Sequence, residues 1–242
     1  MRPNSEPSKI ILMFVGGDFI NTLDKIGDAA LVDGVINKTL EEFYDDVVTT
    51  IGYGVFATNR KLKVVNCPNA RIVDPTAFSQ ASALEAVSLP KVENINDYAF
   101  QFTDSLRYLS FPALKSLGVN ALRRCQTIER MDLGLVTTVS NASLAECGSL
   151  TAVVLRSITI CVCGTSVFTG CYHFYGTKNS TYNPTGAKDG YFYVPRALLS
   201  DTDATMDYRR ATNWSEHASQ FRALEDYTVD GTITGELDES KV

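Results

Sequence analysis

The sequence predicts an α/β repeat solenoid, built from 22-residue units stacked on one parallel sheet and closed by a small C-terminal α+β cap. Three observations carry this. Five apolar columns recur every 22 residues between Ile51 and Leu155 without an insertion. A proline closes each of the first three units. The composition is 45% hydrophobic and 21% charged, so 242 residues can supply a sizeable core.

The columns are read directly. Ile51, Val73, Ile95, Leu117 and Val139 form the first, and Phe56, Phe78, Phe100, Leu122 and Leu144 the second. Leu62, Leu84, Leu106, Ile128 and Leu150 form the third. Val65, Val87, Leu109, Met131 and Val153 form the fourth, and Cys67, Leu89, Phe111, Leu133 and Leu155 the fifth. With about half of all residues apolar, chance does not fill every position. In Leu106–Phe111 the two-residue period puts Leu109 and Phe111 on one face and Tyr108 and Ser110 on the other. Pro68, Pro90 and Pro112 then end the strands, because proline has no ladder donor; Gly134 and Arg156 take that place later. One unit alone could not bury its phenylalanine and aliphatics. Stacking turns each column into a continuous ladder, with Phe56, Phe78, Phe100, Leu122 and Leu144 as its spine.

Segments such as Ile95-Asn96-Asp97-Tyr98-Ala99-Phe100, Ser105-Leu106 and Leu109-Ser110-Phe111-Pro112 resemble the BspA-type leucine-rich repeats of bacterial surface proteins and bacteriophage-encoded proteins. The resemblance covers 51–160, with a half unit before it, since Phe43 sits 22 residues before Val65. It loosens after Cys161, where Phe168 falls two residues late. Further on, Tyr191-Phe192-Tyr193-Val194-Pro195 and Tyr208-Arg209-Arg210-Ala211-Thr212-Asn213-Trp214 resemble the end module that follows such repeats in gut-phage and related bacterial proteins. The stretches Asp226–Gly231 and Leu237–Ser240 are similar to the same group. Together these resemblances imply a phage or prophage origin.

The expected organisation is an N-terminal cap or attachment segment with the half repeat (1–50), five repeats (51–160), a closing element and loop (161–190), a cap module (191–227) and a flexible acidic tail (228–242). Residues 1–8 read as frayed and Ile10–Val15 as a strand or buried turn, without a signal-peptide cleavage site. Apolar spacing at Phe19, Leu23, Ile26, Ala30 and Val32 predicts a helix over 18–33, with Asp18 as its cap. Residues 177–190 read as a loop, 191–195 as a strand and 205–221 as helical turns. Trp214 is expected to pack the cap onto the last repeat, with an exposed carbohydrate-stacking role as the sharper alternative.

The chemistry expected is sparse. No stretch is apolar enough to span a bilayer. A net charge of −6 fits poorly with a nucleic-acid partner. Six cysteines without paired C-x-x-C units argue against zinc, and no cofactor is expected. Cys125 and Cys147 share a column one strand spacing apart; two buried thiols are the favoured reading and a disulfide the geometric alternative. His173 beside Cys171 reads as a satisfied histidine in an aromatic cap rather than half of a nucleophile pair, and His217 as exposed. Glu41-Glu42 and Asp45-Asp46 read as a solvated face. No catalytic residue is assigned.

Binding is therefore expected on the outward side of the strands. Asn66, Ser88, Tyr108, Ser110, Arg130 and Asp132 are the candidate ligand face, with the rung around Tyr108 and Arg130 offering the best mix for recognition. The sequence reading is a non-enzymatic protein of a phage virion, a tail or fibre component contacting a host-surface glycan or protein and other virion proteins. A bacterial surface adhesin is the alternative. Self-association into a homo-oligomer stays open.

Overall fold

The computed structural model describes residues 14–15, 18–19, 25–26, 40–226, 228–229 and 232–233; the side chain of Tyr108 lies outside the described residues. Most of the 18–33 span also lies outside them. Asp18–Phe19 and Lys25–Ile26 within it are strands, so the expected unbroken helix does not form. The polar start at 1–8 and most of the 228–242 tail are likewise outside the described residues.

Each 22-residue turn folds into three straight walls. The first is a three-residue strand that begins two positions after the third-column leucine. The second is a two-residue strand ending at the first column, as in Ile72–Val73 and Asn94–Ile95. Two parallel ladders therefore run along the solenoid, where the sequence predicts one. Seven strands, from Lys25–Ile26 to Val162–Cys163, stack in chain order on one side. On the other, Glu42–Tyr44, Val64–Asn66 and Ala86–Ser88 form a three-stranded sheet. Tyr108–Ser110, Arg130–Asp132, Ala152–Val154, Tyr191–Val194 and Phe221–Ala223 form a five-stranded one. The second strand was hidden because it contributes one buried residue per turn, too few for a two-residue period.

The third wall is not a strand. Residues alternate between right- and left-handed backbone, and two positions per turn take positive φ. One column is Gly54, Thr76, Tyr98, Asn120, Ala142 and Ser166; the other is Thr58, Gln80, Phe102, Arg124, Glu146 and Gly170. Only the two ends of this array are glycine. A side chain in that conformation costs roughly 1–2 kcal/mol. The cost is offset because the alternation aims every second N–H at the next turn. Phe56 N donates to Ala77 O at 2.8 Å, Phe78 N to Ala99 O at 2.7 Å, and Phe100 N to Ala121 O at 2.7 Å. The left-handed residues do the same: Thr58 N to Ser79 O, Gln80 N to Gln101 O, Arg124 N to Ala145 O.

The columns meet inside these walls. Phe56, Phe78, Phe100, Leu122 and Leu144 are all buried. Phe56 stacks on Phe78 at 5.2 Å and Phe78 on Phe100 at 4.7 Å. The third column is fully buried, and of the fourth only Val87 is half-exposed. A sixth turn follows with a register two residues longer: Val139 pairs with Cys163, and Phe168 is buried in the place that Leu144 holds one turn earlier. The extra residues sit in the corner between Arg156 and Val162. This turn then departs further. A four-residue helix, Tyr172–Tyr175, and a loop intervene before Tyr191–Val194 pairs beside Ala152–Val154.

Two substitutions test this construction. Phe100→Ala should cost about 3–5 kcal/mol in equilibrium urea unfolding, since it opens a cavity inside the stack. Ala142→Gly should gain about 0.5–1 kcal/mol, because it relieves a left-handed side chain without touching a packed group. Destabilisation by Ala142→Gly would contradict the third wall.

Candidate binding face

Strand residues alternate between core and outside, so register fixes which side chains share the outward face. One row runs Tyr44, Asn66, Ser88, then Ser110, Asp132, Val154, Tyr193. The other runs Glu42, Val64, Ala86, then Tyr108, Arg130, Ala152, Tyr191. The face divides along its length. At the N-terminal end Tyr44 is 51% exposed, Ala86 and Ser88 are exposed, and Asn66 and Ser110 are half-buried. Its row of Asn66, Ser88 and Ser110 is small, uncharged and polar, with Glu42 and Tyr44 exposed at the edge. Its flank carries charges of alternating sign: Lys63 lies 3.9 Å from Glu41, and Arg107 lies 3.1 Å from Glu129. Such exposed pairs contribute little stability, at most about 1 kcal/mol each.

The C-terminal half is closed. Arg130 and Asp132, expected on the open face, retain only 8% and 7% exposure. Ala152, Val154 and Tyr193 are buried beside them, and with Leu224 they form an apolar cluster separate from the solenoid core. Asp132 also has a structural task. Its Oδ2 accepts from Arg156 Nε at 2.7 Å and lies 2.6 Å from Arg156 Nη2, while its Oδ1 accepts from Gly134 N at 2.9 Å. Gly134 replaces the corner proline because its φ is +51° and a Cβ would lie 2.4 Å from the Phe111 and Pro112 carbonyl oxygens. Asp132 of the rung that looked best for recognition is thus buried and holds a corner through its pair with Arg156.

The candidate nucleophiles are sealed. All six cysteines are buried free thiols. Cys125, Cys147 and Cys171 sit in one slot and donate to the carbonyls of Phe100, Leu122 and Leu144 at 3.1–3.2 Å. Desolvation pushes Cys125 and Cys147 well above the usual thiol range, and Cys67, Cys161 and Cys163 up to about 12. None of these five is a thiolate at neutral pH. Cys171 is directed at Leu144, not at His173. His173 Nε2 donates to Tyr182 O at 2.7 Å, and Nδ1 faces Asp189 Oδ1 at 2.6 Å, so both ring nitrogens are occupied. Among the described residues no group of three or more His, Cys, Asp or Glu is placed to hold a metal ion.

The cap packs around Trp214. Its Nε1–H donates to Cys161 O at 2.8 Å, and its ring meets Phe192, Tyr208 and Phe221 edge-on. It is buried, as the packing reading requires. Tyr208 Oη accepts from Cys161 N at 2.8 Å, locking the cap to the sixth turn. The helical turns at 204–220 are short 3-10 turns. Asp207 is their anchor, held below the usual carboxylate range by Arg209 and Arg210 against the opposing effect of its burial. His217, expected on the surface, is fully buried. It lies 5.2–6.0 Å from the rings of Phe168, Phe174, Tyr175 and Phe192, and its Nδ1–H donates to Gln220 Oε1 at 3.0 Å. The sequence showed only its neighbour Glu216; the four rings of the aromatic cage come from three distant segments.

A parallel solenoid with stacked 22-residue turns is the architecture of a leucine-rich repeat protein. The chain belongs to the BspA-type leucine-rich repeat family: that family's repeat region matches residues 49–175 in six copies, more than half of the chain. Solved structures share the fold. A leucine rich cell surface protein from Faecalibacterium prausnitzii is 21% identical with a TM-score of 0.55, over 66% of this chain and 44% of that one. The Treponema pallidum leucine rich repeat protein is 20% identical with a TM-score of 0.55, over 74% of this chain and 81% of that one. The chain thus spans less than half the length of the F. prausnitzii protein. No curated protein matches it by sequence.

His217 gives the cap a defined pH response. Desolvation lowers its affinity for a proton, outweighing the Gln220 hydrogen bond and the nearby Glu216 carboxylate; Lys188 adds to the lowering. The unfolded chain therefore takes the proton first. The stability from the neutral ring is fully present above its unfolded value near 6.5 and drains away as pH falls from there toward the folded value. Thermal unfolding at pH 7.5 and pH 5 should show a larger loss for the native chain than for His217→Gln. Equal losses would contradict the buried, neutral ring.

Proposed function

We propose that this chain is a non-enzymatic binding module, and that the open half of its strand face, Asn66, Ser88 and Ser110 with Tyr44 at the edge, contacts a glycan or protein on a cell surface. One observation carries the reading. The thiols are buried and both histidines are hydrogen-bonded, whereas the open face sets small polar side chains on rigid strands at roughly 4.8 Å intervals. Regular spacing of hydroxyl and amide groups suits an extended ligand with repeating hydrogen-bonding groups. An exposed tyrosine offers a flat apolar surface for a sugar ring.

A bacterial cell envelope is the setting supported by likeness to the F. prausnitzii cell surface protein. A phage particle is the second reading, supported by the resemblance of the 191–227 module and the Asp226–Ser240 stretch to gut-phage end modules. Immunogold labelling with an antibody to residues 51–160 separates them: label on cell envelopes supports the first, and label on particles the second.

For the face itself, the purified chain is applied to an array of bacterial and host-surface glycans beside two variants. Ser88→Arg should weaken binding about tenfold or more, equivalent to at least about 1.4 kcal/mol, with an unchanged melting temperature. Thr138→Arg, on the opposite sheet, should bind as the native chain does. Unaltered binding by Ser88→Arg would remove this face as the contact surface.

A further inference from the structure

The third wall differs from the strand walls in direction. A parallel ladder donates both ways: Cys67 N donates forward to Ser88 O, while Glu85 N donates back to Lys63 O. In the third wall every backbone bond between turns runs forward. Two chains of peptide groups are unbroken along it. One runs Gly54 N to Pro75 O, Thr76 N to Asp97 O, Tyr98 N to Val119 O, Asn120 N to Asn141 O and Ala142 N to Thr165 O. The other runs Thr58 N to Ser79 O, Gln80 N to Gln101 O, Phe102 N to Arg123 O, Arg124 N to Ala145 O and Glu146 N to Thr169 O. In each, an accepting carbonyl and the next donor belong to one trans peptide, so the peptide dipoles add head to tail as they do in a helix. Each chain ends on a donor: Ser166 N, at φ +57°, and Gly170 N, at φ +78°. The cap finishes the other walls. The free carbonyls of Cys161 and Cys163 accept from Trp214 Nε1 and Asn213 Nδ2, each at 2.8 Å, and Cys161 N donates to Tyr208 Oη. The first wall continues into Tyr191–Val194 and Phe221–Ala223. Among the described residues no acceptor takes the N–H of Ser166 or Gly170. Ser166 is exposed and Gly170 half-buried.

The side chains around this end add charge. Arg123 and Arg124 both reach forward to the single carboxylate of Glu146, which leaves one positive charge over. A Cβ at Gly170 would lie 3.2 Å from Glu146 Cα and Cγ, so the surplus flanks the end of the second chain. The cap brings one carboxylate to the same end of the solenoid: Glu216, which accepts from Tyr175 Oη at 3.3 Å and acts on the Cys163 thiol. We propose that this end of the third wall is an oxyanion site, in which the Ser166 and Gly170 N–H groups, with the Ser166 hydroxyl and the surplus guanidinium, take a phosphate group. Backbone that alternates between right- and left-handed residues gathers its free N–H groups into an anion-binding concavity. The aligned peptides behind it set a partial positive charge at the mouth, as at a helix N-terminus. An oxyanion brings acceptors and no competing donor, which is what an end made of donors requires. The phosphate is either the free ion or a diester within a surface polymer.

The test uses the native full-length chain and stands apart from the strand-face reading above. Backbone amide shifts are followed by nuclear magnetic resonance while inorganic phosphate, or dimethyl phosphate as a diester, replaces chloride at constant ionic strength. The Ser166 and Gly170 amides should shift saturably, while Ala142 and Glu146, inside the same two chains, move little. Saturation by both probes supports a site that accepts a polymer diester, and saturation by inorganic phosphate alone a site for the free ion. No saturable shift at Ser166 and Gly170 with either probe overturns the proposal. Three variants then locate the ion. Ser166→Asp sets a carboxylate beside its own N–H, in a conformation that aspartate tolerates, and should weaken binding about tenfold or more. Arg124→Gln should weaken it and Glu216→Gln tighten it, each about two- to threefold at low salt. Unchanged affinity in all three overturns the assignment to this end of the wall.

Discussion

The structure depends on one constraint: every backbone N–H that points along the solenoid must find a carbonyl on an adjacent turn. Two walls meet it with strands. The third meets it by alternating right- and left-handed residues, a conformation that strands do not use. The spacing between turns is thereby fixed at one hydrogen bond on all three sides. Side chains must then recur at the same position in each turn, because a misplaced apolar residue would face solvent and leave a gap in the stack. The 22-residue period is the sequence-level trace of that backbone requirement.

The columns follow from it. Phe78 stacks between Phe56 and Phe100 because the phenylalanine position is carried forward unrotated from turn to turn. The slot holding Asn59, Thr103, Cys125 and Cys147 serves the same frame. Asn59 Oδ1 accepts from the N–H groups of Lys61 and Leu62, and Thr103, Cys125 and Cys147 donate to second-column carbonyls. Small side chains fit there, Ala81 among them, and the threonine and cysteines add a donated hydrogen bond. Outside, charges repeat at the same interval. Glu93 sits between Arg71 and Lys115 at 2.6 Å from each, and the two cations hold it below the usual carboxylate range.

The repeat was legible in the sequence because its signal is periodic and apolar. The cap strand at 191–194, the loop before it and the packing of Trp214 were legible from composition and turn residues. Four features were not. Apart from Gly54, Asn120 and Gly170, the left-handed columns carry residues such as Thr, Gln, Tyr, Phe, Arg and Glu that do not mark positive φ, so the third wall leaves no periodic residue signature. The second sheet has one inward residue per turn. Arg130 and Asp132 are buried although their register points them outward, and a register that assigns direction correctly says nothing of what lies above a side chain. His217 fails for the same reason, since its cage is assembled from residues 168, 174, 175 and 192. Periodicity predicts what neighbouring turns do to each other and is silent on what a non-repeating segment brings to them.

Amide hydrogen exchange, resolved by nuclear magnetic resonance, tests the central claim most directly. The N–H groups of Thr58, Gln80, Phe102 and Arg124 all lie outside any strand or helix and would exchange fast in an ordinary loop. If the left-handed wall is a true hydrogen-bonded ladder, they exchange as slowly as the strand amides of Val65 and Met131, through global rather than local opening. Fast exchange at these four positions, with the strands still protected, would contradict the account: the third wall would then be a loose connection, and the spacing between turns would be set by the two sheets alone.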